Sequence, residues 1–264
     1  MSYSRPESGL RLGEASRQPA APSDIWQAGE VVRRTPRSLP LARRYEIDWL
    51  TPEGDTKSRI EIAAALPAFE EAFSAFAHGV PFLTTEGEIA VEDLLPGMTL
   101  ICGNGAETRL LWKGAITLVP GAPSASGEPP RLTRVTADSF GPGRPARDLL
   151  FGPAARRLVR GAEVRARCGC EAALQRLDAD VDGDAVIAVS PVQPVRVYHL
   201  LAEGHATILA GGVEVETYHP APDHALSLSA EMRAVFLTLF PHLDRAMGFG
   251  RTLWPRLAEA DDLP

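Results

Sequence analysis

Apolar and polar residues alternate over short stretches through most of the chain, and this period of two predicts β-strands. Near the start, Tyr45, Ile47 and Trp49 alternate with acidic residues, and a turn at residues 52–55 leads to a return strand around Ile60. Similar segments, each bounded by turn residues, follow at residues 99–102, 110–112, 132–135, 195–198, 206–209 and 213–215. Strands this short and this frequent predict a mainly β fold.

Two stretches have the helical period instead. Residues 67–78 carry aromatic side chains at three- and four-residue spacing, with Pro67 suited to a first helical turn and Gly79 suited to a cap. Residues 231–239 repeat the pattern, and Ser229 is a candidate N-cap. We therefore expect a short amphipathic helix before the main run of strands and another after it.

The same patterns divide the chain into five parts. Residues 1–25 are polar and proline-containing, so we expect a disordered tail there. Residues 40–78 form a strand pair and helix packed on the core, and residues 79–220 form the β domain. A helical extension at residues 221–250 and a loose acidic tail at residues 251–264 complete the expected organisation.

Net charge, apolar runs and cysteine content limit which partners and which cellular compartment we expect. The 264 residues are 45% hydrophobic, and their net charge of −7 gives no electrostatic reason to bind nucleic acid or an anionic membrane. No apolar run is long enough to span a bilayer, and the first residues lack the apolar core of a secretory signal. Three unevenly spaced cysteines favour a reducing compartment. We expect a cytoplasmic protein, or one exported without an N-terminal signal peptide.

Sequence motifs along the β region suggest a family. Residues 79–97 read GVPFLTTEGEIAVEDLLPG, residues 112–114 read WKG and residues 144–153 read RPARDLLFGP. Near the other end, Val197-Tyr198-His199-Leu200 is followed by His205, by residues 210–212 (AGG) and by residues 213–216 (VEVE). In order and spacing these segments resemble the blocks of Hedgehog/intein (Hint) domains of the bacterial branch, over roughly residues 79–217.

The resemblance implies a horseshoe of short strands and an activity directed at the chain's own backbone. In such domains a Cys, Ser or Thr attacks the preceding carbonyl, and a His protonates the leaving amide nitrogen. The family's spacing places the nucleophile at Ala75 and the His at Ala155. Alanine supplies neither group, so we expect no catalytic residue at either position. Thr217 also stands where inteins carry a terminal Asn.

The resemblance thus predicts a catalytically inactive relative of self-processing domains. The predicted helix adds an objection, because a helical amide at Ala75 would be tied into the backbone hydrogen-bond pattern. We expect a binding or structural module, whose vacated cleft between the first and last blocks holds an extended peptide as an added strand. The partner is an unidentified protein or peptide, no cofactor is expected, and the oligomeric state is left open.

An alternative keeps some activity. A register change of one residue would make Ser74 the nucleophile of an N–O acyl shift, with His78 or His205 as the acid. The structural interpretation of the same residues is simpler. Ser74 would be a polar helix residue, His78 a residue near the helix cap, and His205 a hydrogen-bonded residue at a strand edge.

Two possible metal sites remain. Asp178, Asp180, Asp182 and Asp184 have the spacing that opens a calcium loop, but its twelfth position is Val189 in place of the bidentate Glu. A solvated acidic turn explains the same residues. A zinc site would need three of four histidines whose spacing fits no single helix face, namely His199, His205, His219 and His224. We expect neither metal.

Overall fold

The computed structural model describes residues 41–220, 228–243 and 248–257. The predicted tail at residues 1–25 and His224 therefore lie outside the described residues. Within them the chain is mainly β, as its alternation predicts. The strands are β1 Ala42–Leu50, β2 Thr56–Ala64, β3 Phe76–Ala77, β4 Pro81–Thr84, β5 Gly87–Ala90, β6 Thr99–Ile101, β7 Glu107–Leu118, β8 Leu132–Val135, β9 Leu149–Phe151, β10 Arg156–Arg160, β11 Ala172–Arg176, β12 Val186–Val189, β13 Val195–Ala202, β14 Thr207–Ala210 and β15 Val213–Glu216.

The strands join into one antiparallel sheet through the long strand β7. Their order is β11-β10-β15-β14-β4-β6-β7-β13-β3-β9-β8-β12, with β1 and β2 attached to β7 and β5 attached to β4. The two ends of β7 pair with different strands. Residues 107–109 pair with β6, and residues 110–118 pair with β13. The first and last motif blocks are thereby brought to the middle of the sheet.

Helices are few in the described residues. They are α1 Pro67–Glu71, α2 Ala162–Cys168 and α3 Ala230–Thr238, and a 3₁₀ turn covers Leu177–Asp180. The helix predicted at residues 231–239 is confirmed, with the Ser229 hydroxyl accepting from the Met232 N–H as an N-cap. None of these helices is long and apolar enough to cross a membrane.

The helix predicted at residues 67–78 is wrong beyond its first turn and a half. α1 ends at Glu71, and residues 76–77 form strand β3 between β13 and β9. The aromatic spacing misled because Phe69 and Phe73 enter one apolar cluster whereas Phe76 enters another. Side chains that divide between two cores do not define one helix face.

Two large apolar clusters form most of the core of the described residues. The first contains Phe76, Phe82 and Leu100 of the central strands. The second joins Trp112 of β7 to the aromatic side chains of α1, α3 and the β1–β2 hairpin, and the Trp112 indole N–H donates to Leu239 O at 2.8 Å. The described extensions are therefore held by aromatic packing.

The expectation of a loose segment from residue 251 is wrong for the residues described there. Leu257 N donates to Leu174 O, and Leu174 N donates to Pro255 O, so this segment adds to β11. Trp254 packs on the small apolar cluster around Leu174. Backbone pairing and the partly buried Trp254 ring hold these residues, although the acidic composition of the tail predicted a loose segment.

Candidate functional site

The backbone segments carrying Ala75 and Ala155 lie directly against each other. Gly152 N donates to Ala75 O at 2.8 Å, and Ala154 N donates to Ser74 O at 3.0 Å. Only glycine permits this approach, because a Cβ at position 152 would lie 2.1 Å from Ser74 O. The structure thus brings together the two segments that the resemblance identified from residues eighty positions apart.

The peptide bond between Ser74 and Ala75 is held at both of its polar atoms. Its carbonyl oxygen accepts from Ala154 N, and its amide nitrogen donates to Tyr198 O at 2.9 Å. The expected constraint on this amide therefore exists, but it comes from the last motif block and not from a helix. An acyl shift at this bond would have to break both hydrogen bonds.

The side chains at the two family positions belong to the core. Ala75 is 0% exposed and Ala155 is 1% exposed, and both pack in the cluster that contains Phe76 and Phe151. A methyl group carries no nucleophilic atom and no proton that it can donate. We call Ala75 and Ala155, with the residues packed on them, the alanine side of the site. The space between the two blocks is filled there, so an added strand cannot occupy it.

His205 is buried, and both of its ring nitrogens are engaged. Leu253 N donates to Nδ1 at 2.9 Å, so the ring proton is on Nε2, which donates to Glu216 Oε1 at 2.9 Å. His205 lies in the turn two residues before β14, and Glu216 ends the neighbouring strand β15. The histidine is hydrogen-bonded, as expected, but it lies in the turn between β13 and β14 and not within a strand.

Four charged side chains form a closed ring beside His205, and sequence reasoning missed it. Glu71 bonds Arg156 Nη2 at 2.7 Å, and Glu216 bonds Arg256 Nη2 at 2.9 Å. Longer contacts of 3.7 Å (Arg156 to Glu216) and 3.8 Å (Arg256 to Glu71) close the circle. We call these four residues the charged ring. No local signal could reveal it, because its members come from α1, β10, β15 and the segment after α3.

His205 and the two arginines of the ring together fix the protonation state of Glu216. Burial by itself would raise the pKa of this carboxyl group, but the His205 hydrogen bond and the charges of Arg256 and Arg156 outweigh it and lower the pKa to about 2. Glu216 is therefore ionised at neutral pH, although it is buried. Its negative charge is compensated entirely by side chains of this chain.

His199 is a further buried histidine of the last motif block. Its Nδ1 lies 3.0 Å from Glu71 O, and its ring packs edge-on against Phe76 and Tyr218. Burial lowers the pKa of His199 to about 4, despite the hydrogen bond to the Glu71 backbone. It is neutral at pH 7 and serves as a packed, hydrogen-bonded core residue.

The alternative nucleophile Ser74 does not have the partners that it would need. Within the described residues, neither candidate acid forms a hydrogen bond with Ser74. His78 is exposed, with Nε2 3.3 Å from Glu92 Oε1, and His205 is engaged as described. Ser74 also precedes strand β3 and is not in a helix, which corrects the expectation of a polar helix residue.

An open groove of about 600 Å³ lies beside the alanine side. Ser74 and Ala154 line its floor near the family positions, and Leu132 and Ala188 line it from strands β8 and β12. The loop at residues 124–131 forms a further wall, which is held to α1 by the Ala125 N–H donating to Glu70 Oε2 at 2.8 Å. Its volume lies in the range of sites for small ligands and short peptide segments.

The aspartates of the candidate calcium loop have separate partners. Asp178 bonds Arg176, Asp180 bonds Arg157 and Gln175, and the Asp182 carboxylate accepts from Asp184 N and Val186 N. Backbone hydrogen bonds, that to Val186 first, lower the pKa of Asp182 and make it the anchor of a tight turn. This geometry matches the solvated turn more closely than a cation loop.

The histidines of the candidate zinc site also have separate hydrogen-bond partners. The rings of His205 and His219 lie 5.4 Å apart, but His219 Nε2 bonds Gly250 O and His199 bonds Glu71 O. Over residues 41–220, 228–243 and 248–257, no group of three or more His, Cys, Asp or Glu side chains is arranged to hold a metal ion.

Comparison with known proteins places these features in a family. No curated protein matches the chain. Among solved structures, a bacterial intein-like domain from Clostridium thermocellum shares 13% identity and a TM-score of 0.35, over 55% of this chain and 99% of that one. The MchDnaB-1 intein shares 16% identity and a TM-score of 0.31, over 55% and 100%. The profile of the Hint domain matches residues 74–222, more than half of the sequence. The chain belongs to the Hint domain family.

Proposed function

We propose that this protein is a catalytically inactive Hint domain that acts as a binding module for an extended peptide. The observation that carries the proposal is the contrast at positions 74–75. The peptide bond there is hydrogen-bonded at both polar atoms and packed among apolar side chains, whereas a groove lies open immediately beside it. The domain keeps the scaffold that positions a backbone segment and lacks the groups that cleave one.

The chemistry of the residues present supports inactivity. Self-processing needs a nucleophile at the scissile bond and a proton donor for its nitrogen. Alanine occupies both family positions, and the ring nitrogens of His205 are bound to Glu216 and Leu253. Ser74 alone offers a hydroxyl group at this place, without a hydrogen-bonded base among the described residues.

The edge strand β12 supports the peptide proposal. Thr136 N donates to Ala185 O, so the backbone hydrogen-bonding groups of Ala185 point toward β8. By alternation, the backbone N–H and C=O of Ile187 also point toward β8. The outward backbone groups of Val186 are bound to Asp182. Ala188 is exposed on the groove, and by the same alternation its N–H and C=O point away from the sheet. A peptide in the groove can pair with Ala188 as an added strand.

Residual self-cleavage at Ser74 is tested by intact mass. The protein and a Ser74→Ala variant are incubated with hydroxylamine or a thiol, which release an ester or thioester. We expect one unchanged mass for both. Fragments of about 73 and 191 residues from the unaltered protein, absent from the variant, would show that the acyl shift at Ser74 survives.

Peptide binding is tested with a displayed library of random peptides selected on the purified protein. Ala188→Pro removes the outward N–H without touching the bonds to β8, and Ala188→Ser keeps it as the matched control. We expect selected peptides to bind the Ser variant normally and the Pro variant at least about tenfold more weakly. Equal binding to both variants, or no enrichment at all, would reject the groove as a strand-addition site.

A further inference from the structure

Strand β2 is a long edge strand that carries exposed isoleucines. Among the described strands it pairs only with β1, over all nine of its residues. Ile60 is 53% exposed and Ile62 is 75% exposed, although both are β-branched residues suited to a buried sheet surface. An edge of this length with apolar side chains is a template for pairing with another strand.

The hairpin geometry determines which backbone groups of β2 are available. Thr51 N donates to Asp55 O, and Ala65 N donates to Leu41 O, so the odd-numbered residues of β2 bond to β1. Hydrogen bonds alternate along an antiparallel strand. The N–H and C=O groups of Ser58, Ile60 and Ile62 therefore point away from the sheet.

Charge favours one register for pairing with an identical strand, because only an axis at Ile60 sets opposite charges face to face. A two-fold axis through Arg59 would set two guanidinium groups opposite each other, and an axis through Glu61 would oppose two carboxylates. Within one strand Arg59 Nε already lies 2.9 Å from Glu61 Oε1. An axis through Ile60 adds the partner's pair with opposite charges facing, because Arg59 lies opposite the partner's Glu61 twice by symmetry. Of these three registers, only the last sets no like charges opposite each other. It also places the outward backbone groups of Ser58, Ile60 and Ile62 opposite outward backbone groups of the partner strand.

The same register also covers the apolar residues. Ile60 and Ile62 point to the same face of β2, because side chains alternate along a strand. With the axis at Ile60, that residue faces the partner's Ile60, and Ile62 lies diagonal to it. Four isoleucines then form one continuous strip across the two strands.

We propose that two copies of this chain associate through β2, antiparallel about a two-fold axis at Ile60, with paired Arg59 and Glu61 side chains. Pairing joins the two sheets edge to edge. One pair of strands is a small interface, so the dissociation constant is on the order of tens of micromolar. This inference is independent of the proposed peptide groove.

Sedimentation velocity of the full chain from about 1 to about 500 µM tests the dimer. We expect the unaltered protein to shift from monomer to dimer over this range. Glu61→Arg makes both charged positions basic and is expected to weaken association at least about tenfold. Circular dichroism and thermal unfolding check that the variant remains folded.

A mixing experiment tests the register itself. Arg59→Glu makes both positions acidic and, like Glu61→Arg, is expected to be monomeric alone. Mixed in equal amounts, the two variants present opposite charges at both pairs, so a heterodimer is expected to form. If either single variant fails to fold, Ile60→Lys replaces it, since it sets two ammonium groups opposite each other on the axis.

Three results would overturn the proposal. The first is a monomeric unaltered protein across the whole range of concentration. The second is a dimer that folded Glu61→Arg or Ile60→Lys leaves unchanged, which would place the contact elsewhere. The third is a mixture of the two folded charge variants that stays monomeric, which would exclude the axis at Ile60.

Discussion

The alanine side and the charged ring are neighbours in the same Hint domain, but the first is built from apolar side chains and the second from buried charges. Ala75 and Ala155 place only methyl groups at their positions and close that half of the site into the core. Glu71, Arg156, Glu216 and Arg256 keep four charges buried or half-buried next to it. The first region is apolar except for its hydrogen-bonded backbone. The second holds opposite charges that compensate one another, although among the described residues Nη1 of Arg156 and Nη1 of Arg256 have no hydrogen-bond partner.

This difference determines which substitutions each region can accept. An apolar site needs only correct volume, because packing is non-directional. A buried ring needs each charge, because the removal of one leaves another without compensation. Substitutions on the two sides should therefore have distinct magnitudes and distinct dependence on pH.

The largest expected effect is that of Glu216→Ala. It leaves Arg256, Arg156 and His205 without their shared carboxylate, and we expect the free energy of unfolding to fall by about 3–5 kcal/mol. Glu214→Ala, on the same strand, removes a more exposed ion pair with Arg160 and should change it by less than about 1 kcal/mol. Urea unfolding measures both. Equal losses would contradict a special role for the ring.

Acid should destabilise the folded protein in two pH windows, one for His199 and one for Glu216. The unfolded chain protonates His199 below its ordinary pKa of 6.5, but the folded protein does so only near 4. The stability linked to His199 is therefore complete above pH 6.5 and is lost as the pH falls toward 4, by on the order of 2–3 kcal/mol. For Glu216 the corresponding loss runs from pH 4.5 down to about 2.

The variant His199→Gln separates these windows. It removes the titrating ring, so unfolding free energy measured against pH should become flatter between 6.5 and 4 and should keep its fall below 4.5. His242, whose pKa burial also lowers to about 4, retains part of the upper slope. A His199→Gln profile that overlays that of the unaltered protein would reject the assignment.

Overpacking should reveal how tightly the alanine side is closed. Ala155→Leu adds three carbons to a residue that is 1% exposed, and we expect a loss of about 1–3 kcal/mol. Ala137→Leu, at an exposed loop position, serves as the control and should stay within about 0.5 kcal/mol. Thermal or urea unfolding compares them. Equal stability of the two variants would indicate an unfilled cavity at position 155.

The smallest expected effect is on self-cleavage, where a thiol at position 75 and an imidazole at position 155 should change nothing. A double variant, Ala75→Cys with Ala155→His, should still give no thiol-dependent cleavage, because burial raises a thiol pKa and the 74–75 peptide unit stays hydrogen-bonded. Intact mass after incubation with a thiol is the measurement. Fragments of about 74 and 190 residues would show that only two residues separate this domain from activity.

Much of the fold could be predicted because strand and cap signals are local. The alternation at residues 132–135 matches β8, and the Ser229 cap marks the start of α3 to within one residue. The helix at residues 67–78 failed because spacing alone cannot show that Phe73 and Phe76 enter different clusters. Tertiary pairing with Tyr198 overrode the local pattern.

The sequence by itself determined the family, the mainly β class and the absence of reactive groups at positions 75 and 155. These properties depend on local motifs and on the identity of single side chains, which the sequence gives directly. Only the tertiary structure decided that the space between the blocks is filled, that a groove opens beside it, and that Glu71 and Arg256 complete a ring around Glu216. Those features depend on contacts between residues 40 to 185 positions apart, and no local pattern specifies which distant charges will meet.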